Sequence, residues 1–270
     1  MLPSSLVLVG AGNMGGAMLE GWLSVGLDPK AVAVIEPKPS DALRRLCQER
    51  AIRLNPPPEA AAPPDVLVLA VKPQALEAAA DALNPLVGPT TLLLSILAGK
   101  TIADLRARIP NARAIVRAMP NLPASVRRGA TGAAASAEVG ERQKAMADAL
   151  LASVGHVEWL DSENLIDAVT AVSGSGPAYV FHLVECLAEA GAAAGLPADV
   201  AMRLARAMVI GAGELLARSD LPAASLRENV TSPGGTTAAA LEVLMREPGL
   251  AALMREAVAA AKRRGEELSG

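Results

Sequence analysis

Short unbroken apolar runs alternate with helical stretches along the first part of this chain. Leu6-Val7-Leu8-Val9 is apolar throughout and ends at a glycine. A run that short, with no polar alternation, predicts a strand buried on both faces, as in a parallel sheet. Residues 31–35, 66–71, 91–96 and 114–119 repeat the pattern, and residues 14–25 and 41–51 read as helices between them. Strand, helix and strand in succession predict right-handed crossovers and a doubly wound sheet. From about residue 160 the strand signals stop. Residues 177–194, 197–217, a run after Ser232 and residues 250–267 read as Ala/Leu-rich helices. Their apolar arcs are wider than one buried face needs, which predicts burial on several sides and intertwining with a second subunit. The expected fold class is α/β, with a doubly wound domain at residues 1–160 and an all-α domain at 161–270.

Composition narrows the class. The chain has 270 residues, which suits one large domain or two ordinary ones, and 51% of them are apolar. Aromatics make up only 1%, so the core must be closely packed Ala, Leu and Val. A net charge of −3 with both signs interspersed lacks the basic patch of a nucleic-acid surface. Cys47, Cys186, His156 and His182 are isolated in sequence, so neither a metal site nor a disulfide framework is expected, and a reducing cytoplasm is. The first basic residue is Lys30 and glycines break the early apolar run, so no secretory leader is expected. No apolar stretch reaches the length of a membrane span without a turn signal.

The candidate chemistry begins at Gly10-Ala11-Gly12-Asn13-Met14-Gly15, a G-x-G-x-x-G fingerprint that follows a strand and opens a helix. Gly10 permits the tight turn, Gly12 lets a pyrophosphate approach the backbone, and Gly15 lets helix and strand pack. This assigns residues 1–160 to a Rossmann dinucleotide-binding domain. Glu36 ends the second strand about 20 residues on, where an acid bonds the ribose diol and favours NADH. Lys38 and Ser40 follow it and suit a 2′-phosphate, so NADPH stays open. Asn55 precedes three prolines and either contacts the adenosine or caps a turn. Ala70-Val71-Lys72-Pro73 lies at a strand's carboxyl end, where ligands of open sheets sit, with Lys72 as the cation of that edge. Ile96-Leu97-Ala98 ends another strand with room for a flat ring. Asn121, in a stiff Met-Pro-Asn-Leu-Pro turn, either bonds a carboxamide or caps the turn.

Two later stretches stand outside the nucleotide fingerprint. Ser173-Gly174-Ser175-Gly176-Pro177 reads as the lead into a long helix, its glycines placed for packing. Met14, Met18, Met119, Met202 and Met208 read as core filling, and Tyr179 and His182 as buried side chains with hydrogen-bond partners. Asn229-Val-Thr-Ser-Pro-Gly-Gly-Thr-Thr237 opens directly into a helix. It presents hydroxyls and free N–H groups at a helix N-terminus, which suits an anion and a proton relay.

With these motifs in order, the chain closely resembles the pyrroline-5-carboxylate reductases over nearly its whole length. The resemblance implies a helical C-terminal domain that forms a homodimer by interlocking helices, with five dimers often joined as a decamer. It implies NADPH or NADH as cofactor, and L-1-pyrroline-5-carboxylate, a cyclic imine bearing a carboxylate, as the substrate reduced to proline. The family's dinucleotide positions fall on Gly10, Gly12, Asn13, Met14, Gly15, the Asn55 loop, Ala70 to Pro73 and the loop after Ser95. Its substrate positions fall on Ser232, Gly234, Gly235, Thr236 and Thr237, with Thr237 as proton donor or water holder, and an acid on Asp220. The substrate carboxylate is expected on the N–H groups of Gly234, Gly235 and Thr236. Glu36 departs from members that prefer NADPH, which often carry a small hydroxyl or basic residue there. The competing readings are a reductase of another cyclic imine, a β-hydroxyacid dehydrogenase, and a dinucleotide sensor without turnover. The second would need a lysine in the helix at 177–194, and none is there.

Overall fold

A computed structural model describes residues 1–57 and 62–269. It divides into two compact units: residues 1–175 together with the chain's end from Ala261, and residues 176–260.

The first unit is built on an eight-stranded sheet of order β3-β2-β1-β4-β5-β6-β7-β8. Its strands are β1 (Leu6–Val9), β2 (Val32–Ile35), β3 (Arg53–Leu54), β4 (Val66–Leu69), β5 (Leu92–Ser95), β6 (Ala114–Met119), β7 (Gly129–Ala135) and β8 (Gly155–Trp159). The first six are parallel, joined by α1 (Asn13–Ser24), α2 (Asp41–Arg50), α3 (Leu76–Leu83) and α4 (Ile102–Arg108). Because a strand alternates its faces, Leu6 and Leu8 enter one core and Val7 and Val9 another. The first core takes Met18, Leu19 and Trp22 of α1 and Leu150 of α5 (Glu141–Ala152). Trp22 is fully buried, and its Nε1 donates to Leu150 O at 2.9 Å. The second core takes Leu76, Ala80 and Leu83 of α3 and Leu105 of α4. The strand order reverses its direction of growth between β1 and β4, the place where open α/β sheets bind ligands.

The sheet goes beyond the expected parallel one. β7 runs antiparallel to β6, and β8 parallel to β7. β7 reads Gly-Ala-Thr-Gly-Ala-Ala-Ala, which has little β propensity. Its small residues answer to packing: a Cβ on Gly132 would stand 2.7 Å from Val169 Cγ2. β8 does carry a period-2 signal, with His156 and Glu158 exposed and Val157 and Trp159 half-buried.

Ser173 and Gly174, expected to belong to the lead into a long helix, already lie in a helical turn. α6 (Ile166–Val169) runs into a π-turn at Thr170–Gly174. α6 and the short turn before it are braced by a buried arginine. Arg117 on β6 is almost fully buried and faces Glu163 at 3.6 Å and Asp167 at 3.7 Å.

The second unit holds α7 (Gly176–Ala193), α8 (Ala198–Arg218), α9 (Ala223–Asn229), α10 (Thr236–Met245) and the first half of α11 (Leu250–Ser269). α9 forms between α8 and the turn at Ser232, where the sequence pattern predicts no helix. α7 and α8 pack through small residues, with Gly191 against Ala201. Most other large apolar side chains of these helices are exposed in the single chain, Ile210 at 69% and Leu215 at 64%. Met202 and Met208 lie on this exposed surface, so they fill no core of the single chain, unlike Met18. His182 is exposed too, paired with Glu185 at 3.0 Å; α7 has too few neighbours within one chain to cover it. No helix among the described residues is long and apolar enough to cross a membrane.

Candidate functional site

The glycine loop divides its labour. Gly10, at φ +89°, donates to Ile35 O at 2.9 Å, and a Cβ there would stand 2.7 Å from the Ala70 carbonyl. A Cβ on Gly15 would stand 2.2 Å from Gly10 O and 3.1 Å from Ala70 Cβ. Both glycines let the β1–α1 turn and the loop after β4 lie on one another. Gly12 is different: nothing stands within 4 Å of the place its Cβ would occupy. It is exposed, begins α1 without a side-chain cap, and is followed by exposed Asn13 and half-buried Met14. The open space and uncapped N–H groups suit a phosphate group. The residues present therefore fit a dinucleotide.

Glu36 stands where β2 ends, and its Oε2 accepts from Ala11 N–H in the glycine loop at 3.0 Å. Its Oε1 accepts from Lys38 N–H at 3.0 Å. The Asn55 amide is spent on Glu36: Oδ1 accepts from Glu36 N–H at 2.8 Å and Nδ2 donates to Glu36 O at 2.9 Å. Ser40, paired with Lys38 in the sequence as a possible phosphate holder, caps α2 by accepting from Leu43 N–H at 3.2 Å.

Ala70, Val71, Lys72 and Pro73 follow β4, and Ile96, Leu97 and Ala98 follow β5, at neighbouring carboxyl ends of the sheet. Ala98 is exposed, whereas Leu97 is 2% exposed and its side chain belongs to the core, which leaves only its backbone for a ligand. Lys72 is exposed but is not the sole cation of this edge, since Lys100 lies beyond β5. A cavity of about 490 Å³ opens there, with Pro73, Gln74, Ala98, Lys100, Asp104 and Thr170 among its lining residues. Burial pushes the Asp104 carboxyl up. Hydrogen bonds from the Thr101 N–H and hydroxyl, with the charges of Lys100 and Arg117, outweigh that and hold it below its usual range.

Asn121 is nearly buried and braces its surroundings: Oδ1 accepts from Ala130 N–H at 2.9 Å and Nδ2 reaches Ser173. Of the two glycines in the serine-glycine stretch, a Cβ on Gly174 would meet Met119 Cε at 3.3 Å. Gly176 has nothing within 4 Å, so packing within this chain does not account for it.

In the second unit, Ser232 to Gly235 form a turn that places α10. Gly235 N–H donates to Ser232 O at 3.0 Å, with Pro233 second and Gly234 third at φ +67°, the arrangement of a type II turn. This corrects one expectation: the Gly235 N–H is used inside the turn and is not available to an anion. The orphan donors are those of Thr236, Thr237 and Ala238, at the start of a helix with no side-chain cap. Thr237 is half-buried and Ser232 is exposed. Asp220 is exposed on the segment between α8 and α9.

Residues 5–99 match the family described as NADP oxidoreductase, coenzyme F420-dependent. Fold, glycine loop and this match together define an oxidoreductase that uses NAD(P)H. Residues 163–268 match the pyrroline-5-carboxylate reductase dimerisation family. The pyrroline-5-carboxylate reductase of Pseudomonas aeruginosa is 41% identical over 98% of this chain and 96% of its own, and that of Synechocystis sp. 42% identical over 94% and 96%. The chain belongs to the pyrroline-5-carboxylate reductase family. Among solved structures, the enzyme of Coxiella burnetii matches with a TM-score of 0.92 at 36% identity, covering 99% of each chain. The Plasmodium falciparum enzyme, solved with NADP bound, matches with a TM-score of 0.80 at 27% identity, covering 98% of each.

Proposed function

We propose that this chain reduces the C=N bond of L-1-pyrroline-5-carboxylate to give L-proline, the last step of proline biosynthesis. The observation that carries the reading is the uncapped start of α10 behind the Ser232–Gly235 turn, in a chain of this family. The N–H groups of Thr236 and Thr237 and the Ser232 hydroxyl hold the substrate carboxylate, favoured there by the helix dipole. Gly234 and Gly235 supply the turn that aims them, and Asp220 is the acid of the substrate set. The Thr237 hydroxyl bonds the ring nitrogen and relays a proton to it from water, because a threonine is too weak an acid to act alone. With the imine protonated, no negative charge builds on nitrogen, and the chemistry needs position more than a strong general acid.

Gly12 with the start of α1 holds the pyrophosphate, Glu36 the ribose, and the loops at Ala70–Pro73 and Ile96–Ala98 flank the nicotinamide end. When bound, the reduced nicotinamide supplies the hydride. The exposed apolar faces of α7, α8, α10 and α11 are covered in a homodimer, the unit from which the family's decamers are built. The free thiols of Cys47 and Cys186 suit a reducing cytoplasm.

Loss of nicotinamide absorbance on adding pyrroline-5-carboxylate tests the reaction. Absence of turnover in folded, dinucleotide-binding protein would turn the reading to other cyclic imines, and then to a sensor. Sedimentation tests the assembly: Ile210→Asp shifts dimer toward monomer, and a wild-type chain that sediments as a stable monomer refutes the dimer.

A further inference from the structure

The loop after β5 is fixed at both ends and open in the middle. Leu97 is anchored in the core by its side chain, and its N–H donates to Ser95 Oγ at 3.3 Å. Thr101 starts α4 through a capping box with Asp104, and Ile102 N–H donates to Glu163 Oε2 at 2.9 Å. Ala98, Gly99 and Lys100 lie between these anchors, and the end of α11 is seated there. Gly99 turns the chain at φ +68°, and a Cβ on it would stand 2.8 Å from Leu268 O. About one helix turn earlier, Gly265 faces Asp167, the carboxylate beside Arg117; a Cβ there would stand 3.6 Å from Asp167 Oδ1. This part of α11 turns a narrow face inward: Ala261, Lys262 and Gly265 are half-buried, and the charged residues that follow each of them are exposed. It belongs with the sheet domain rather than with the helices from which α11 starts.

Charge draws the same two segments together. The last turn of α11 carries Glu266 and Glu267 and no basic residue, so its side chains do not answer the negative end of the helix dipole. Lys262 and Arg264 pair with the two glutamates and leave that end of the dipole without a cation. Lys100 is half-buried and lines the same cavity as Leu268, which puts a positive charge of the loop beside the helix end. We propose that the end of α11 is a positioning strap for the dinucleotide. Seated on Gly99 and drawn to Lys100, it holds Ala98 where the nicotinamide end meets the loop after β5. The proposal deepens the reductase reading, from which it takes the place of the nicotinamide, but its binding arm needs no turnover. A loop already held in its bound shape loses less freedom when the ligand arrives, and the gain falls only on the half of the nucleotide that touches the loop.

Calorimetric titration of the purified protein, and of a variant ending at Arg264, with NADPH, NADH and ADP-ribose tests this. ADP-ribose carries the adenosine and the pyrophosphate but no nicotinamide. The expected result is that shortening weakens the reduced nucleotides about tenfold and leaves ADP-ribose within about twofold. KM for the reduced nucleotide, measured in parallel, rises by a similar factor. Lys100→Gln weakens the reduced nucleotides severalfold in the wild-type background and does nothing further in the shortened one. Unchanged affinities after shortening, an equal loss for ADP-ribose, or binding of neither reduced nucleotide by the wild type overturns the proposal. A Lys100→Gln effect as large without the end of α11 as with it also overturns it, because the lysine would then touch the nucleotide itself. If the shortened variant does not unfold cooperatively, Lys100→Glu in the wild-type background reads the same point. It sets a negative charge against the negative end of α11, and it weakens NADPH and NADH but not ADP-ribose. The expected binding pattern without any reduction of pyrroline-5-carboxylate would sink the reductase reading and leave the strap standing.

Discussion

The side-chain amide of Asn121 donates to Ser173 at two points, the hydroxyl at 3.1 Å and the carbonyl at 3.2 Å, across 52 residues of chain. The Ser173 hydroxyl in turn donates to Ala130 O at 2.9 Å, and Ala130 N–H donates back to Asn121. The turn after β6, the edge of β7 and the π-turn at Thr170–Gly174 are thereby tied into one closed network.

That network predicts a stability effect. Asn121→Ala leaves a nearly buried N–H and a hydroxyl short of a partner, at a cost of about 2 kcal/mol. Urea unfolding at fixed protein concentration measures it, and an unchanged midpoint would show that water replaces the amide without penalty.

The two kinds of glycine in the dinucleotide loop predict different failures. Gly15→Ala drives a methyl group into the Gly10 carbonyl and should destabilise the fold as well as abolish nucleotide binding. Gly12→Ala meets no protein atom within 4 Å, so it should melt like the wild type while binding the dinucleotide about 10- to 100-fold more weakly. Normal nucleotide affinity in Gly12→Ala would mean that the open space is not where the pyrophosphate lies.

Thr237→Val keeps the shape of the helix start and removes the hydroxyl. The expected loss in kcat/KM is about 10- to 1000-fold, the scale of one polar or proton-transfer contact. Nucleotide affinity, measured separately, should stay as it was. Full activity in the valine variant would remove Thr237 from the proton path.

A pH effect follows from Asp65. The Ser4 hydroxyl hydrogen bond, at 2.6 Å, acts with backbone N–H groups of Ser4 and Ser5 and holds this half-buried carboxyl below its usual range against the pull of desolvation. A lowered folded-state pKa stabilises the fold above the unfolded value of about 3.9 and loses that contribution as pH falls through the lower folded value. Ser4→Ala should therefore be less stable than the wild type near neutral pH, the difference shrinking as acid protonates Asp65 in both. A difference independent of pH would assign the Ser4 effect to packing.

Much of this molecule is written locally in its sequence. Apolar runs such as Leu6–Val9, short and ended by a turn signal, suit strands covered on both faces, and a glycine triplet between strand and helix has few other uses, so the nucleotide loop and five of the six parallel strands, all but the two-residue β3, were legible in the chain itself. The Ser-Pro-Gly-Gly-Thr-Thr stretch likewise encodes its turn, because proline and glycine restrict or free φ residue by residue. Tertiary structure decided what depends on distant partners. β7 is a strand because β6 and β8 flank it and Val169 leaves no room for larger side chains at Gly132, a fact no local propensity contains. Asn55 and Asn121 read equally well as ligand contacts or turn caps until the fold brought Glu36 and Ser173 within hydrogen-bond reach of them. The Gly235 N–H looked free until the turn closed on Ser232 O. A side chain's type limits what it can bond, but only the folded chain determines which partner stands 3 Å away.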